Sequence, residues 1–220
     1  MWKKKAACIL AVMALCGTMA ASAANYTILE KADKVETTVY GTTQTGSLND
    51  RIAALDKLLN GQSTVSGSLQ DKTNALYKDV YGNSGSDLSL LTAVNLMQWQ
   101  YSGQITDEPL LVRVESLEQS IDGKTLSGSL EGRVLSLRQA LLGNKKYVSQ
   151  TVTIPANTLV TMTNIDALNS KTIQEGDVVR FAVADDVCVG DVIAIPRGME
   201  ATGDGDESPE VGAFWQRWQD

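Results

Sequence analysis

The residues that could do chemistry in this chain are few, and none of the 220 is histidine. Imidazole is the side chain that titrates nearest neutral pH, so its lack excludes Ser-His-Asp and Cys-His triads and the usual His-rich zinc sites. Catalysis would have to rest on carboxylates, a Ser-Lys pair or a backbone cradle. The paired carboxylates Asp185-Asp186 sit in a strand-like stretch. Neighbours in a strand point to opposite faces, so the pair reads as a turn or a weak cation site rather than a shared acid/base site. Cys188, in apolar alternating surroundings, reads as a buried, inert thiol. No catalytic, cofactor-binding or metal-binding residue is assigned, and no cofactor is expected.

A second set of charged residues has regular spacing. Arg51, Lys72, Arg113 and Arg133 recur in related contexts, with Asp56 and Glu118 five residues after Arg51 and Arg113. Five residues is a poor separation for pairing within one helix. Two readings are open. The cations meet acids of a neighbouring helix across a seam, or they lay their stems over the apolar face with the charge in water.

The elements that carry these charges are repeats. GSLNDRIAALDKLLNG, GSLQDKTNALYKDVYG and GSLEGRVLSLRQALLG restate one phrase. With the Leu after the Ser as offset 0, apolar residues fall at offsets 0, +4, +7 and +11, a narrow stripe on one helical face. The copies are Leu48, Ile52, Leu55, Leu59; Leu69, Thr73, Leu76, Val80; Leu90, Val94, Met97, Tyr101; Leu110, Val114, Leu117, Ile121; and Leu130, Val134, Leu137, Leu141. The cations stand at offset +3, where the third copy has Ala93, and the acids at +8. Ser47, Ser68, Ser89 and Ser129 are N-cap residues, and Pro109 suits the first turn. Asp50 and Asp71 favour the helix start, and Gly61, Gly82, Gly123 and Gly143 suit a left-handed stop.

The spacing predicts five helices of roughly 12–14 residues, each about 20 Å long. Helices so short are marginal alone, and stacking shares one core among them. They pack within one chain or form the arms of an oligomeric stalk. The connecting loops, rich in Gly, Ser, Thr and Asn, read as solvated connectors or as sugar-binding loops.

Beyond Lys146 the pattern changes to β-branched alternation. SQTVTIPANTLVTMTN reads as two strands around an IPAN turn, and DVVRFAVADDVCVGDVIAIPRGMEATG as further strands. At the other end, Lys3, Lys4 and Lys5 precede an apolar run and Ala21-Ser22-Ala23, the pattern of a secretory signal peptide cut before Ala24. A lipoprotein reading through Cys16 meets Leu15 where a small residue is expected. Cleavage would take the net charge from −7 to −10, a surface that repels nucleic acid. With Cys8 and Cys16 removed, Cys188 has no disulfide partner within the chain.

YGTTQTGSLNDRIAALDKLLNG with its restatements, NSKTIQEGDVVRFAVADDV and VIAIPRG resemble a group of exported cell-envelope proteins of diderm Firmicutes. These pair YG-x-GSL-xx-R-xxx-L(E/D) segments with a C-terminal β-domain. The resemblance covers about Val35 to Gly203 and implies an envelope location. The end, GDGDESPEVGAFWQRWQD, departs from it. Suitable codons for Asp204 to Gln219, read one nucleotide out of frame, give TVTKVRKLARFGKDGK, a basic alternating continuation. The tail therefore reads as a frameshift product that leaves the β-domain truncated.

The expected organisation is α+β: signal peptide 1–23, linker 24–34, helical repeat region 35–146, β-rich domain 147–203 and atypical tail 204–220. The expected function is that of a non-enzymatic structural or interaction protein, exported to the periplasm or cell surface. Its repeats would serve self-association or spacing, its β-domain would bind an envelope protein or glycan, and no transmembrane span would remain after cleavage. A glycan- or peptidoglycan-binding module is the alternative, and a carboxylate-dependent enzyme the third.

Overall fold

The computed structural model of the chain describes residues 26–62, 66–165 and 178–204. The signal-peptide reading of 1–23 lies outside them, as does the tail apart from Asp204. The architecture is α+β, a helical repeat region followed by a small β part. Among the described residues the helices are α1 (Ile28–Tyr40), α2 (Leu48–Asn60), α3 (Leu69–Tyr81), α4 (Leu90–Ser102), α5 (Leu110–Asp122) and α6 (Leu130–Leu142), each of 13 residues.

Five helices begin at the predicted Leu, and α1 is a sixth copy that begins in the segment read as a linker, 24–34, and runs on into the expected repeat region. From Ile28, Ala32, Val35 and Val39 fill offsets +4, +7 and +11, and all three are buried. The start is a capping box: Thr27 Oγ1 accepts from Glu30 N, and Glu30 Oε2 accepts from Thr27 N. Ile and Thr in place of Leu and Ser, and the small Ala32, disguise the phrase.

Ser47, Ser68, Ser89 and Ser129 all cap through the side chain, whereas Pro109 is itself the N-cap and makes no side-chain bond. Gly61 and Gly123 end their helices in the left-handed region, at φ 82° and 69°. Gly82 departs from that expectation with φ −84°, an extended exit, and Gly143 with ψ −135°, outside the left-handed helical region.

The helices share one core. Leu48, Leu69, Ile121 and Leu141 are half-buried against it, and the other predicted apolar stripe residues apart from Tyr101 lie inside. Thr73, the polar member of the second stripe, is buried too, its hydroxyl donating to Leu69 O at 2.8 Å. Tyr101 leaves the stripe and is 51% exposed. In the main packing contacts α1, α2 and α3 form one mutually touching trio and α4, α5 and α6 another. The trios meet through α1 on α5, α2 on α6 and α3 on α4. The stripes are therefore buried against one another within one chain.

The β part begins later than expected. Tyr147 is 3% exposed and belongs to the helical core. Residues 150–161 form no strand pair among the described residues, although the IPAN turn is present, with Asn157 at φ 65° and Thr158 N donating to Pro155 O. The alternation there predicts two strands, but a strand exists only with a main-chain partner. The strands are β1 (Met162–Asn164), β2 (Val178–Val183), β3 (Val187–Val189), β4 (Val192–Ile195) and β5 (Glu200–Asp204). They form an antiparallel sheet in the order β1-β2-β5 and a β3-β4 hairpin turning at Gly190-Asp191. Asp204 closes β5 opposite Val178. Cys188 is exposed, not buried as expected, because alternation along β3 turns Val187 inward and Cys188 outward.

Candidate functional site

Three of the four repeated cations, Arg51, Arg113 and Arg133, each join one helix to the next. Their partners lie in the preceding helix, at offsets +5 and +8. Arg133 of α6 donates from Nε to Glu118 Oε1 at 2.8 Å and from a terminal nitrogen to Oε2 at 2.7 Å, with Glu115 at 3.9 Å. Arg51 of α2 grips Glu36 of α1 in the same two-pronged way, at 3.0 and 2.6 Å, and also reaches Asp33. Arg113 of α5 uses neutral acceptors: Gln98 Oε1 at 2.8 Å and Asn95 Oδ1, both on α4.

Each acceptor at +8 also holds the loop that follows its own helix. Glu36 Oε2 accepts from Gln44 N at 2.7 Å, and Glu118 Oε2 from Leu126 N at 3.0 Å. Gln98 Oε1 accepts from Thr106 N at 3.4 Å. One side chain thus ties its helix, the next connector and the next helix together. Glu36 and Glu118 have no exposed surface, so their charge is tolerable only because it is paired and hydrogen-bonded.

The electrostatics differ among these clasps. Burial pushes the Glu118 carboxyl up, but Arg133 and the Leu126 N–H outweigh it and hold it below its ordinary value. Bonds to Glu36 and then Asp33 raise the Arg51 guanidinium against the opposing effect of burial. Arg113 goes the other way: desolvation brings it down to about 10, only partly offset by Asp107 and Glu108. A guanidinium facing two amides lacks the counter-charge that its counterparts have.

The cations thus meet partners across the helix seam, as one of the two sequence readings had it. Lys72 is the exception, with no ion pair among the described residues; it sits 16 residues after Asp56, where each clasp arginine sits 15 after its +8 partner. Asp56 is buried and accepts from Asn60 Nδ2 at 2.8 Å. Reading the cations alone misses Asp33, Glu36, Asn95, Gln98 and Glu115. The available signal was a pair of acids or amides three apart, ending 15 residues before an arginine.

A second cluster fixes the β part to the bundle. Asp186 Oδ1 accepts from the Trp99 indole N–H at 3.1 Å and from Arg197 N at 2.8 Å. The Arg197 guanidinium lies 5.6 Å from the Trp99 ring centroid, a cation–π distance. Gly198 packs so closely on Gln104 that an added Cβ would stand 2.6 Å from Gln104 Cα. The connecting segment is tied down as well, Ser149 N donating to Gly85 O at 2.9 Å. Asp186 is therefore a docking group, while Asp185 is exposed.

A third feature is an open pocket of about 450 Å³ where α1, α2 and α3 begin, lined by Tyr26, Leu29, Lys31, Leu48, Gln70 and Asn74 among others. Lys31 Nζ donates to Asn74 Oδ1 at 2.7 Å and lies 5.8 Å from the Tyr77 ring centroid. Among the described residues every buried side-chain nitrogen or oxygen has a hydrogen-bond partner, and no helix is long and apolar enough to cross a membrane. Comparison with protein-family models, with curated proteins and with solved structures returns no match, so the residues themselves carry the functional argument.

Proposed function

We propose that the chain is an exported, non-catalytic cell-envelope protein in which the helical bundle is a rigid pedestal and the β part is the binding end. The observation that carries this reading is the use of the buried polar groups. Glu36, Gln98 and Glu118 each bind an arginine and a connector N–H, so their bonding capacity goes into holding helices and loops in place. The Asp186–Trp99 bond and the Gly198 contact then hold the β part at a set position on the pedestal. The N-terminal lysines, apolar run and Ala-Ser-Ala site support export.

Fractionation of a diderm bacterium expressing the full chain tests the proposal. The expected product begins at Ala24, is recovered from the periplasm or cell surface, and is not retained by purified peptidoglycan. An uncleaved product in the cytoplasm would overturn the proposed location.

A second reading, a glycan-binding module, is favoured by the pocket of Tyr26, Lys31, Gln70 and Asn74. Amide and ammonium donors beside an aromatic ring suit sugar hydroxyls and apolar sugar faces. Retention on peptidoglycan that survives high salt and falls in Tyr26→Ala would favour it.

A further inference from the structure

We infer that the outer edge of β1, with the uncharged strip around it, is a self-association surface on which a second copy of this chain adds its own β1 antiparallel. The inference places the contact on the β part rather than on the helical repeats, and it rests on the reading of the β part as the binding end. From Tyr147 to Ile165 there is no charged residue, in a chain that is 20% charged and carries a net −7. Apolar side chains are open to solvent along that strip: Leu159 is 90% exposed, Ile165 40% and Ile154 39%.

Among the described residues the main chain has an unpaired side there too. Ala184 N donates to Thr161 O at 2.8 Å, and Ile165 N to Arg180 O at 3.0 Å. The odd-numbered residues therefore face β2, and alternation turns the N–H and C=O of Met162 and Asn164 to the outer side. Among the described residues no strand pairs with that side. Edge strands are ordinarily kept short or guarded by charge, proline or a bulge; Met162-Thr163-Asn164 is short, at three residues, but carries no charge, proline or bulge.

Charge selects the occupant. Two copies of an acidic protein repel each other over most approaches, and the neutral strip is a surface on which like charges do not meet. Antiparallel edge-to-edge pairing is two-fold symmetric, so it closes at a dimer instead of growing into a fibre.

The test is light scattering and amide hydrogen exchange on the chain from Ala24. The expected result is a particle of twice the chain mass, with the Met162 and Asn164 amides protected in a concentration-dependent way. Met162→Pro removes one outward N–H and leaves the bonds to β2 intact; it and Leu159→Lys should each weaken the dimer at least tenfold. Leu135→Lys, on an exposed position of α6, should leave it unchanged. A monomer at high concentration overturns the inference. So does a dimer whose Met162 and Asn164 amides exchange freely, or one broken by Leu135→Lys and not by Met162→Pro. A monomer recovered from the envelope would leave the pedestal reading standing.

Discussion

Arg133 and Glu118, 15 residues apart and on successive helices, meet through two parallel N–H···O bonds of 2.8 and 2.7 Å in the bundle interior. The same carboxylate takes the Leu126 N–H from the intervening loop. That geometry makes one buried acid responsible for two helices and a connector, and it makes the bundle testable residue by residue.

Glu118→Ala should destabilise the protein strongly. It leaves the Arg133 guanidinium buried without its counter-charge and the Leu126 N–H without its acceptor. Breaking a buried pair from one side costs about 3–5 kcal/mol. Glu118→Gln keeps an acceptor oxygen and should cost less. Urea unfolding midpoints check both; a loss under about 1 kcal/mol in the Ala variant would place this ion pair among weak surface pairs.

The same carboxylate predicts an acid limb in the stability profile. Its folded value lies below its ordinary one, so in the window between them the unfolded chain binds more protons than the folded one. Stability from this group is complete above the unfolded value of about 4.3 and is lost as pH falls through the lower folded value. Glu30 and Asp71, held low by bonds to Thr27 and Ser68, contribute with the same sign. Burial raises Asp79, which opposes them. Melting temperatures from pH 6 to pH 2 should fall less steeply in Glu118→Gln than in the parent.

Gln98→Glu should stabilise the bundle at neutral pH. It gives Arg113 the carboxylate that Arg51 and Arg133 already have, and Thr106 N is positioned to donate to it. Replacing a neutral acceptor by a charged one is worth on the order of 1 kcal/mol. Urea midpoints measure the gain, and ¹⁵N detection of the guanidinium should show its deprotonation moving above the value near 10 that desolvation imposes.

Asp186→Ala and Gly198→Ala should loosen the β part without unfolding the helices. The first removes the acceptor of the Trp99 indole and of Arg197 N, at about 1 kcal/mol per lost bond. The second forces a Cβ against Gln104 at a residue whose φ is +78°. Trp99 is half-buried, so its fluorescence should shift to the red. Proteolysis between Gly143 and Gln150 should accelerate while helical circular dichroism is retained.

Much of the helical region was legible because its signals are local. Ser47, Ser68, Ser89 and Ser129 cap the next residues, and stripes at +4, +7 and +11 mark one face, information contained within a few turns. The copy at Ile28 escaped because its anchor residues differ and Ala32 is small, not because its geometry does. The clasps were half legible: the cations and Glu118 stood out, while Asn95 and Gln98 looked like ordinary polar residues. Cys188 and residues 150–161 differ from expectation for one reason, that apolar alternation records strand propensity but not which partner, if any, a strand finds.

The chain alone determined where each predicted helix starts, which face it buries and which residues cap it, because these depend on neighbours within a turn or two. Tertiary structure alone decided how the six helices divide into two trios and that Arg133 reaches back to Glu118. It also decided that Asp186 is satisfied by an indole 87 residues away. Those pairings join groups far apart in the chain. Their selection rests on how whole helices pack to exclude water from one core, and no local spacing encodes that.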